Sequence, residues 1–249
     1  MQASVIIPAL NEEETIADIV QAITNEISEV IVVDNGSTDA TAERAALAGA
    51  SIVSEPRRGY GRACAAGVRA LAPDCEIVIF LDGDGSDRPE IMDRLIQPIA
   101  EGRSDFVIGS RTRGEREPGS LNLPQVVAAR VVGILVYALY GVRYTDMCPF
   151  RAIRRDALER LGMREMTYGW NLEMQMRAAR ANLRILEIPV DHRRRAGGKS
   201  KVSGTVRGTC LAAVRIGFTL ARVALGGFVS GQRRRTGTLE KDAKDYQRE

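Results

Sequence analysis

The amino-acid sequence predicts an α/β fold with a mostly parallel central sheet covered by helices on both faces. Three observations predict it. Apolar runs at 4–8, 30–34, 51–54, 77–82 and 105–109 are short, rich in Val and Ile, and not alternately polar, the pattern of strands buried on both faces. Stretches of helical character separate them, at about 12–26, 39–48, 60–71 and 89–100, and such alternation builds parallel sheets. Polar residues gather where three runs end, at 8–11, 34–37 and 82–87, and ligands of such sheets bind beyond the carboxyl ends of the strands.

The first run, SVIIP, lies close to Met1, has no basic segment before it and stops at Asn11, so it reads as a strand and not as a secretion signal. Asn11 is a candidate cap for the next helix, with Glu12, Glu13 and Glu14 near its positive end. Ser37, Thr38 and Asp39 offer caps for the second helix, and Gly36 permits the tight turn into it. Beyond about residue 110 the pattern changes. A loop rich in Gly, Pro and charge spans 111–123, followed by an apolar helix at 124–140, a helix near 171–181, a strand at 183–190 and a basic loop to 204. The stretch 206–230 is apolar but broken by Arg207, Arg215 and Arg222, short of the ~20 uninterrupted apolar residues of a membrane span. Their spacing sets the three arginines along one face of an amphipathic helix. Such a helix suits an anionic membrane interface, and it also suits packing on the folded domain or on a membrane-protein partner. The polar tail 231–249 has the composition of a disordered segment.

Composition narrows the function classes. The chain has 249 residues, 45% hydrophobic and 27% charged, as in an ordinary globular protein. A net charge of +3 gives no ground for nucleic acid as a partner. Cys64, Cys75, Cys148 and Cys210 have neither metal-ligand nor redox spacing, and they read as reduced thiols in a cytosolic setting. Arg193, Arg194, Arg195, Lys199 and Lys201 crowd one loop, where they would attract phosphates or close over a site; a basic linker has the same composition. Arg233, Arg234 and Arg235 read as a solvated basic face.

The sharpest chemical signal is Asp82-Gly83-Asp84 at the end of the run EIVIFLD. Alternate residues of an extended segment point the same way, so two carboxylates two apart can converge on one hard cation such as Mg²⁺ or Mn²⁺. An acidic turn without a metal is the competing reading. An EF-hand loop is excluded, because its sixth and twelfth positions need Gly and Glu and are here Asp87 and Asp93. Asp34 ends another run in VIVVDNGSTDAT, where a carboxylate could accept hydrogen bonds from a nucleobase; a capped turn is the alternative. The sole histidine, His192, stays outside the expected metal site, and Trp170 is expected to pack in the core.

VIIPALNEEETI, VIVVDNGSTDAT, RRGYGRACAAG and FLDGDGSDRPE follow one another in the order and spacing of glycosyltransferase family 2, and the chain resembles that family over about 3–205. TDMCPFRAIRR, TYGWNLEMQMRAAR and EIPVDHRRRAGGKSKVSG are similar to segments of its dolichyl- and polyprenyl-phosphate sugar synthase branch. The resemblance implies a GT-A fold in one domain at 1–205, with a nucleotide-sugar-binding half at 1–115 and an acceptor half at 116–205. It implies an inverting, metal-dependent enzyme that moves a sugar from a GDP- or UDP-linked donor to a polyprenyl-phosphate-type lipid, peripherally at the cytoplasmic face of a membrane. By the same resemblance Pro8, Ala9, Asn11 and Glu12 pack around the nucleotide, Asp34 reads the base, and Asp82 and Asp84 hold the diphosphate through Mg²⁺ or Mn²⁺. Arg130, Arg195, Ser200 and Lys201 are then expected near the donor diphosphate or an acceptor phosphate, and Asp84, Arg130, Glu173 and Arg195 among the catalytic residues. The chain has Asp34-Asn35-Gly36-Ser37 where the family often has Asp-Asp-Gly-Ser, and Cys148-Pro149-Phe150 where the branch often has Ser-Gly-Phe. Two other readings are a family 2 enzyme with a hydroxyl acceptor, using Glu173 as the base, and a non-catalytic nucleotide-sugar-binding module.

Overall fold

The first apolar run forms β1 (Ala3–Ala9), buried along nearly its whole length. It is followed by α1 (Ile16–Ala22), β2 (Glu29–Asp34), α2 (Thr41–Leu47), β3 (Ser51–Ser54), α3 (Tyr60–Ala70) and β4 (Ile77–Phe80). A 3-10 turn at Pro89–Ile91 leads to α4 (Asp93–Ala100), then β5 (Phe106–Ser110), α5 (Leu123–Tyr140), β6 (Arg151–Arg154), α6 (Arg155–Leu161), α7 (Trp170–Arg180) and β7 (Ile185–Pro189). This computed structural model describes residues 1–23, 26–121 and 123–196, with backbone alone at 123–125, and positions 217, 219, 222 and 223. The expected tail at 231–249 and most of the expected helix at 206–230 lie outside the described residues.

The strands form one seven-stranded sheet in the order β3-β2-β1-β4-β6-β5-β7. All neighbours are parallel except β6, which runs antiparallel between β4 and β5. From β1 the chain steps outward to β2 and β3, then returns to β4 on the other side of β1. Crossovers between parallel strands are right-handed, so the outward steps place α1 and α2 on one face and the return places α3 on the other. In agreement, α1 packs on α2, and α3 lies across β1 and β2. The strand order reverses between β1 and β4, and a crevice opens there beyond the carboxyl ends of the strands. Both β6 and β7 come from the 116–205 stretch, yet they complete the same sheet.

Several sequence expectations shift. Asn11 does not cap α1; it stands in the left-handed region at φ 53°, and the helix begins only at Ile16, after Thr15. Its side chain acts elsewhere, its Oδ1 accepting from the Thr38 N–H at 2.8 Å while its own N–H donates to Ser37 Oγ at 3.0 Å. This latches the end of β1 to the turn after β2. Ser51–Ser54 is not a doubly buried strand but the sheet's edge, with both faces largely exposed. The antiparallel β6 was not foreseen, since RAIR carries an arginine where a buried strand wants an apolar residue. Arg151 is nonetheless fully buried, its guanidinium donating to the carbonyls of Cys148, Pro149 and Asn171. Asp105, just before β5, clasps Arg184 before β7 with 3.0 and 2.7 Å contacts, which hold its carboxyl down at about 2. Trp170 packs in the core as expected, edge-on to Phe80 with ring centroids 6.2 Å apart. Cys64, Cys75 and Cys148 are free and buried.

On α5, Ala129, Val132 and Val136 face the core, at the spacing of one helical stripe. The opposite stripe stays bare: Val127, Val131 and Ile134 are 50%, 50% and 68% exposed, and Arg130 is exposed among them. Among the described residues no helix is long and apolar enough to cross a membrane.

Candidate active site

The crevice at the switch point is built first by β4. Its four residues are buried, Leu81 continues the apolar run, and the chain then turns through Asp82, Gly83 and Asp84. Asp82 Oδ1 accepts from the Tyr60 hydroxyl at 3.1 Å. Asp84 is 4% exposed; its Oδ1 accepts from the Ser86 N–H at 2.9 Å, while its Oδ2 lies 2.6 Å from the Arg195 guanidinium. Arg195 also approaches Glu12 Oε1 at 3.6 Å. Gly85 stands at φ 74°, the left-handed value the tight Asp84–Ser86 turn requires. Asp87 is buried behind the turn, with neither carboxylate oxygen hydrogen-bonded among the described residues; His192 Nδ1 lies 3.6 Å from its Oδ1. Three carboxylates thus crowd one turn, and of the three it is Asp84 that Arg195 meets. Burial first, and then Asp84 and Asp87, push the Asp82 carboxyl up to about 8.

Around this turn lies a cleft of about 430 Å³, within the usual range for small-molecule sites. Pro8, Ala9 and Glu12 from the end of β1 form one side, and Asn35, Arg58 and Tyr60 form another. Tyr168 and Arg195 complete the wall. Asn35 is a brace as well as a lining residue: its amide donates to the carbonyls of Glu55 and Arg57 and its Oδ1 accepts from the Gly59 N–H at 2.8 Å. The loop bearing Arg195 is stitched down, with Ala196 N–H on the Asp84 carbonyl and Arg193 N–H on that of Ser86. It is also zipped to the 111–121 loop, through His192 N–H to the Glu115 carbonyl and Arg194 N–H to Glu117 Oε2. The basic loop up to Ala196 is therefore an ordered wall of the cleft rather than a linker.

A sequence profile described as glycosyl transferase family 2 matches residues 4–162, more than half of the chain. The chain belongs to glycosyltransferase family 2. An uncharacterised glycosyltransferase of Mycobacterium tuberculosis is 40% identical over 213 residues, covering 84% of this chain and 93% of that one. The undecaprenyl-phosphate mannosyltransferase of Micrococcus luteus is 30% identical over 225 residues, covering 84% and 90%. Among solved structures, glucosyl-3-phosphoglycerate synthase of Mycobacterium tuberculosis superposes with a TM-score of 0.72 at 23% identity, over 90% of this chain and 80% of that one. That likeness establishes the shared GT-A fold.

In this family 2 glycosyltransferase the fold brings together Pro8, Ala9, Glu12, Asp82, Asp84 and Arg195. Asn11 lies just outside the cleft as a latch. Asp34 spends its Oδ1 on the Ser37 N–H at 3.0 Å, holding the turn after β2, and it is the next residue, Asn35, that lines the cleft. Arg130 is not in the cleft but on the exposed stripe of α5. Ser200 and Lys201 lie outside the described residues. Glu173 is a correction. It is fully buried and does not line the cleft; its Oε2 accepts from the N–H groups of Arg164 and Glu165 at 2.8 and 2.6 Å, and its Oε1 is 2.9 Å from Arg177. With both oxygens engaged in the interior and the side chain away from the cleft, it is not placed to reach an acceptor. Arg222 likewise does not face headgroups but meets Glu165 and Glu173 at 3.1 and 3.3 Å. Tyr60, Asn35, Arg58 and Tyr168 went unassigned from the sequence. A tyrosine between two glycines at a helix start was a signal for Tyr60, whereas Tyr168 carried none.

Proposed function

We propose that the chain is an inverting transferase that moves a sugar from a GDP- or UDP-linked donor to a polyprenyl-phosphate-type lipid at the cytoplasmic face of a membrane. The carrying observation is that Asp82, Asp84 and Arg195 line one cleft at the switch-point crevice, with Arg195 paired to Asp84. A sugar–diphosphate bond breaks with negative charge gathering on the leaving phosphate, and fixed cations positioned there stabilise it. Arg195 is such a cation. The donor set fits a divalent ion: Asp82 shares a turn with the buried Asp84 and Asp87, both oxygens of Asp87 lack hydrogen bonds among the described residues, and burial with the charges of Asp84 and Asp87 drives Asp82 toward its neutral form. Among the described residues no three acidic, His or Cys side chains converge as a ready-made metal cluster. Mg²⁺ or Mn²⁺ would thus be held by Asp82 and Asp84 together with the donor's own phosphates, as is usual for Mg²⁺ in nucleotide sites. When bound it supplies charge stabilisation to the departing diphosphate.

Three observations support the lipid-phosphate acceptor. The Micrococcus luteus relative is by name an undecaprenyl-phosphate mannosyltransferase. The bare apolar stripe of α5 carries Arg130 among Val127, Val131 and Ile134, a surface suited to a bilayer interface with an anionic headgroup. Glu173 is not available as a base, and a phosphate monoester, already ionised near neutral pH, needs none where a hydroxyl does. The test is incubation of the purified protein and Mn²⁺ with a panel of GDP- and UDP-sugars, offering a polyprenyl phosphate, the matching polyprenol or a soluble glycan. Glycolipid formed from the phosphate alone is the expected result. Transfer only to the polyprenol or the glycan overturns the acceptor, and no turnover of any donor overturns the enzyme.

Asp34 belongs to the same proposal as the reader of the base. Asp34→Ala should raise the donor KM about tenfold with kcat little changed, because base contacts exist before and during reaction alike. Steady-state kinetics and a melting curve check it: an unchanged KM with a lowered Tm would leave Asp34 as the anchor of the Ser37 turn only.

A further inference from the structure

Two buried carboxylates, Glu165 and Glu173, are not used by the proposed chemistry, and they organise the stretch just before Tyr168. Glu173 gathers the Arg164 and Glu165 N–H groups on its Oε2, while Glu165 Oε1 accepts from the Thr167 N–H and hydroxyl at 3.1 and 2.6 Å. The turn so formed lies directly on the start of α3. Gly61 N–H donates to the Thr167 carbonyl at 3.2 Å and Arg62 N–H to that of Met166 at 3.1 Å. A Cβ at Gly61 would fall 2.3 Å from the Glu165 carbonyl oxygen. From this contact two side chains reach the cleft: Tyr168, and Tyr60 with its hydroxyl on Asp82.

The other oxygen of Glu165 is held from far along the chain. Thr219 Oγ1 donates to Glu165 Oε2 at 3.3 Å, Arg222 Nη2 lies 3.1 Å from the same oxygen and 3.3 Å from Glu173 Oε1, and Val223 is buried in the core. Gly169 makes room for this contact, since a Cβ there would fall 2.5 Å from Thr219 Oγ1. Burial opposes ionisation of Glu165, but hydrogen bonds from Thr167, the charge of Arg222 and the Thr219 hydroxyl outweigh it and hold the carboxyl below its usual range. Of the two carboxylates, Arg177 is paired with Glu173. Removing Arg222 takes from the buried Glu165 its one ion pair among the described residues, a state proteins relieve by local rearrangement.

We propose that Arg222 is a positioning residue for donor binding, bridging Glu165 and Glu173 and thereby setting the Tyr168 wall and the Tyr60–Asp82 contact. The nucleotide part of this rests on the function proposed above; the coupling itself does not. Full-length wild type, Arg222→Ala, Arg222→Lys and Thr219→Val are compared by calorimetric titration with GDP and UDP in Mn²⁺, by donor kinetics, and by hydrogen exchange of 164–168. Arg222→Ala should weaken nucleotide binding and raise donor KM about tenfold, with kcat within about twofold and faster exchange at 164–168; Arg222→Lys should restore most of the loss. Thr219→Val, which keeps the side-chain shape, should move binding and exchange the same way by about two- to threefold, and it decides the matter if Arg222→Ala does not fold. A lower Tm with unchanged nucleotide affinity and KM would reduce Arg222 to a structural tie and overturn the proposal. If wild type binds neither GDP nor UDP, the function fails instead. The coupling is then judged on exchange at 164–168, where no change in either variant overturns it.

Discussion

Asp82→Asn and Asp84→Asn are each expected to cut sugar transfer about 10³-fold or more, the order of effect set by charge stabilisation worth several kcal/mol at a developing phosphate anion. The two substitutions should differ in what else they do. Asp84 holds Arg195 at 2.6 Å and the Ser86 turn at 2.9 Å, so Asp84→Asn loosens the basic loop as well as removing a charge. Asp82 is already pushed toward its neutral form in the metal-free protein, with its carboxyl at about 8. At neutral pH the Asp82 carboxyl must take up a proton on folding, a cost that an amide of the same shape does not carry, so Asp82→Asn should raise the metal-free Tm at neutral pH while abolishing the stabilisation that Mn²⁺ with nucleoside diphosphate confers. Thermal melts with and without Mn²⁺, run beside the transfer assay, check both statements. Full activity in either variant, or in excess chelator, would rule out the carboxylate-held metal.

Gly61→Ala is expected to be strongly damaging for a single methyl group. The new Cβ would fall 2.3 Å from the Glu165 carbonyl oxygen and 2.8 Å from the backbone of Met166. Backbone atoms must then move, since no flexible side chain is there to yield. Overpacking of this kind costs about 1–3 kcal/mol or more. In a chain of this size each kcal/mol lowers Tm by roughly 2–4 °C. The displaced turn precedes Tyr168, and Gly61 follows Tyr60, so nucleotide affinity should fall together with Tm. A control at Gly49, where nothing lies within 4 Å of an added Cβ, should leave nucleotide affinity unchanged. Equal Tm and affinity in Gly61→Ala and wild type would show that the turn does not bear on α3 as described.

The sequence by itself determined the α/β class, most of the elements and the acidic end of β4. Strands buried on both faces must be apolar throughout, and that pattern is written locally in VIIPA, VIVVD and IVIF whatever their neighbours. The four co-linear motifs carried the family for the same reason: each is a short stretch whose chemistry is complete within a few residues. Glu173 shows the limit. Its spacing to Arg177 is that of an intrahelical ion pair, and this was the local sign of a structural carboxylate. Only the tertiary structure decided that its oxygens are engaged by the backbone of Arg164 and Glu165 and by Arg177, that Asn35 lines the cleft, and that Arg130 rides on an exposed stripe. It also decided that β6 enters the sheet antiparallel, since Arg151 satisfies its guanidinium on three carbonyls and so passes as a core residue. The physical reason is common to all of these. Periodicity reports whether a side chain is buried, but not which distant segment buries it, and the cleft is made of contacts between segments as far apart as Tyr60, Asp82, Tyr168 and Arg195.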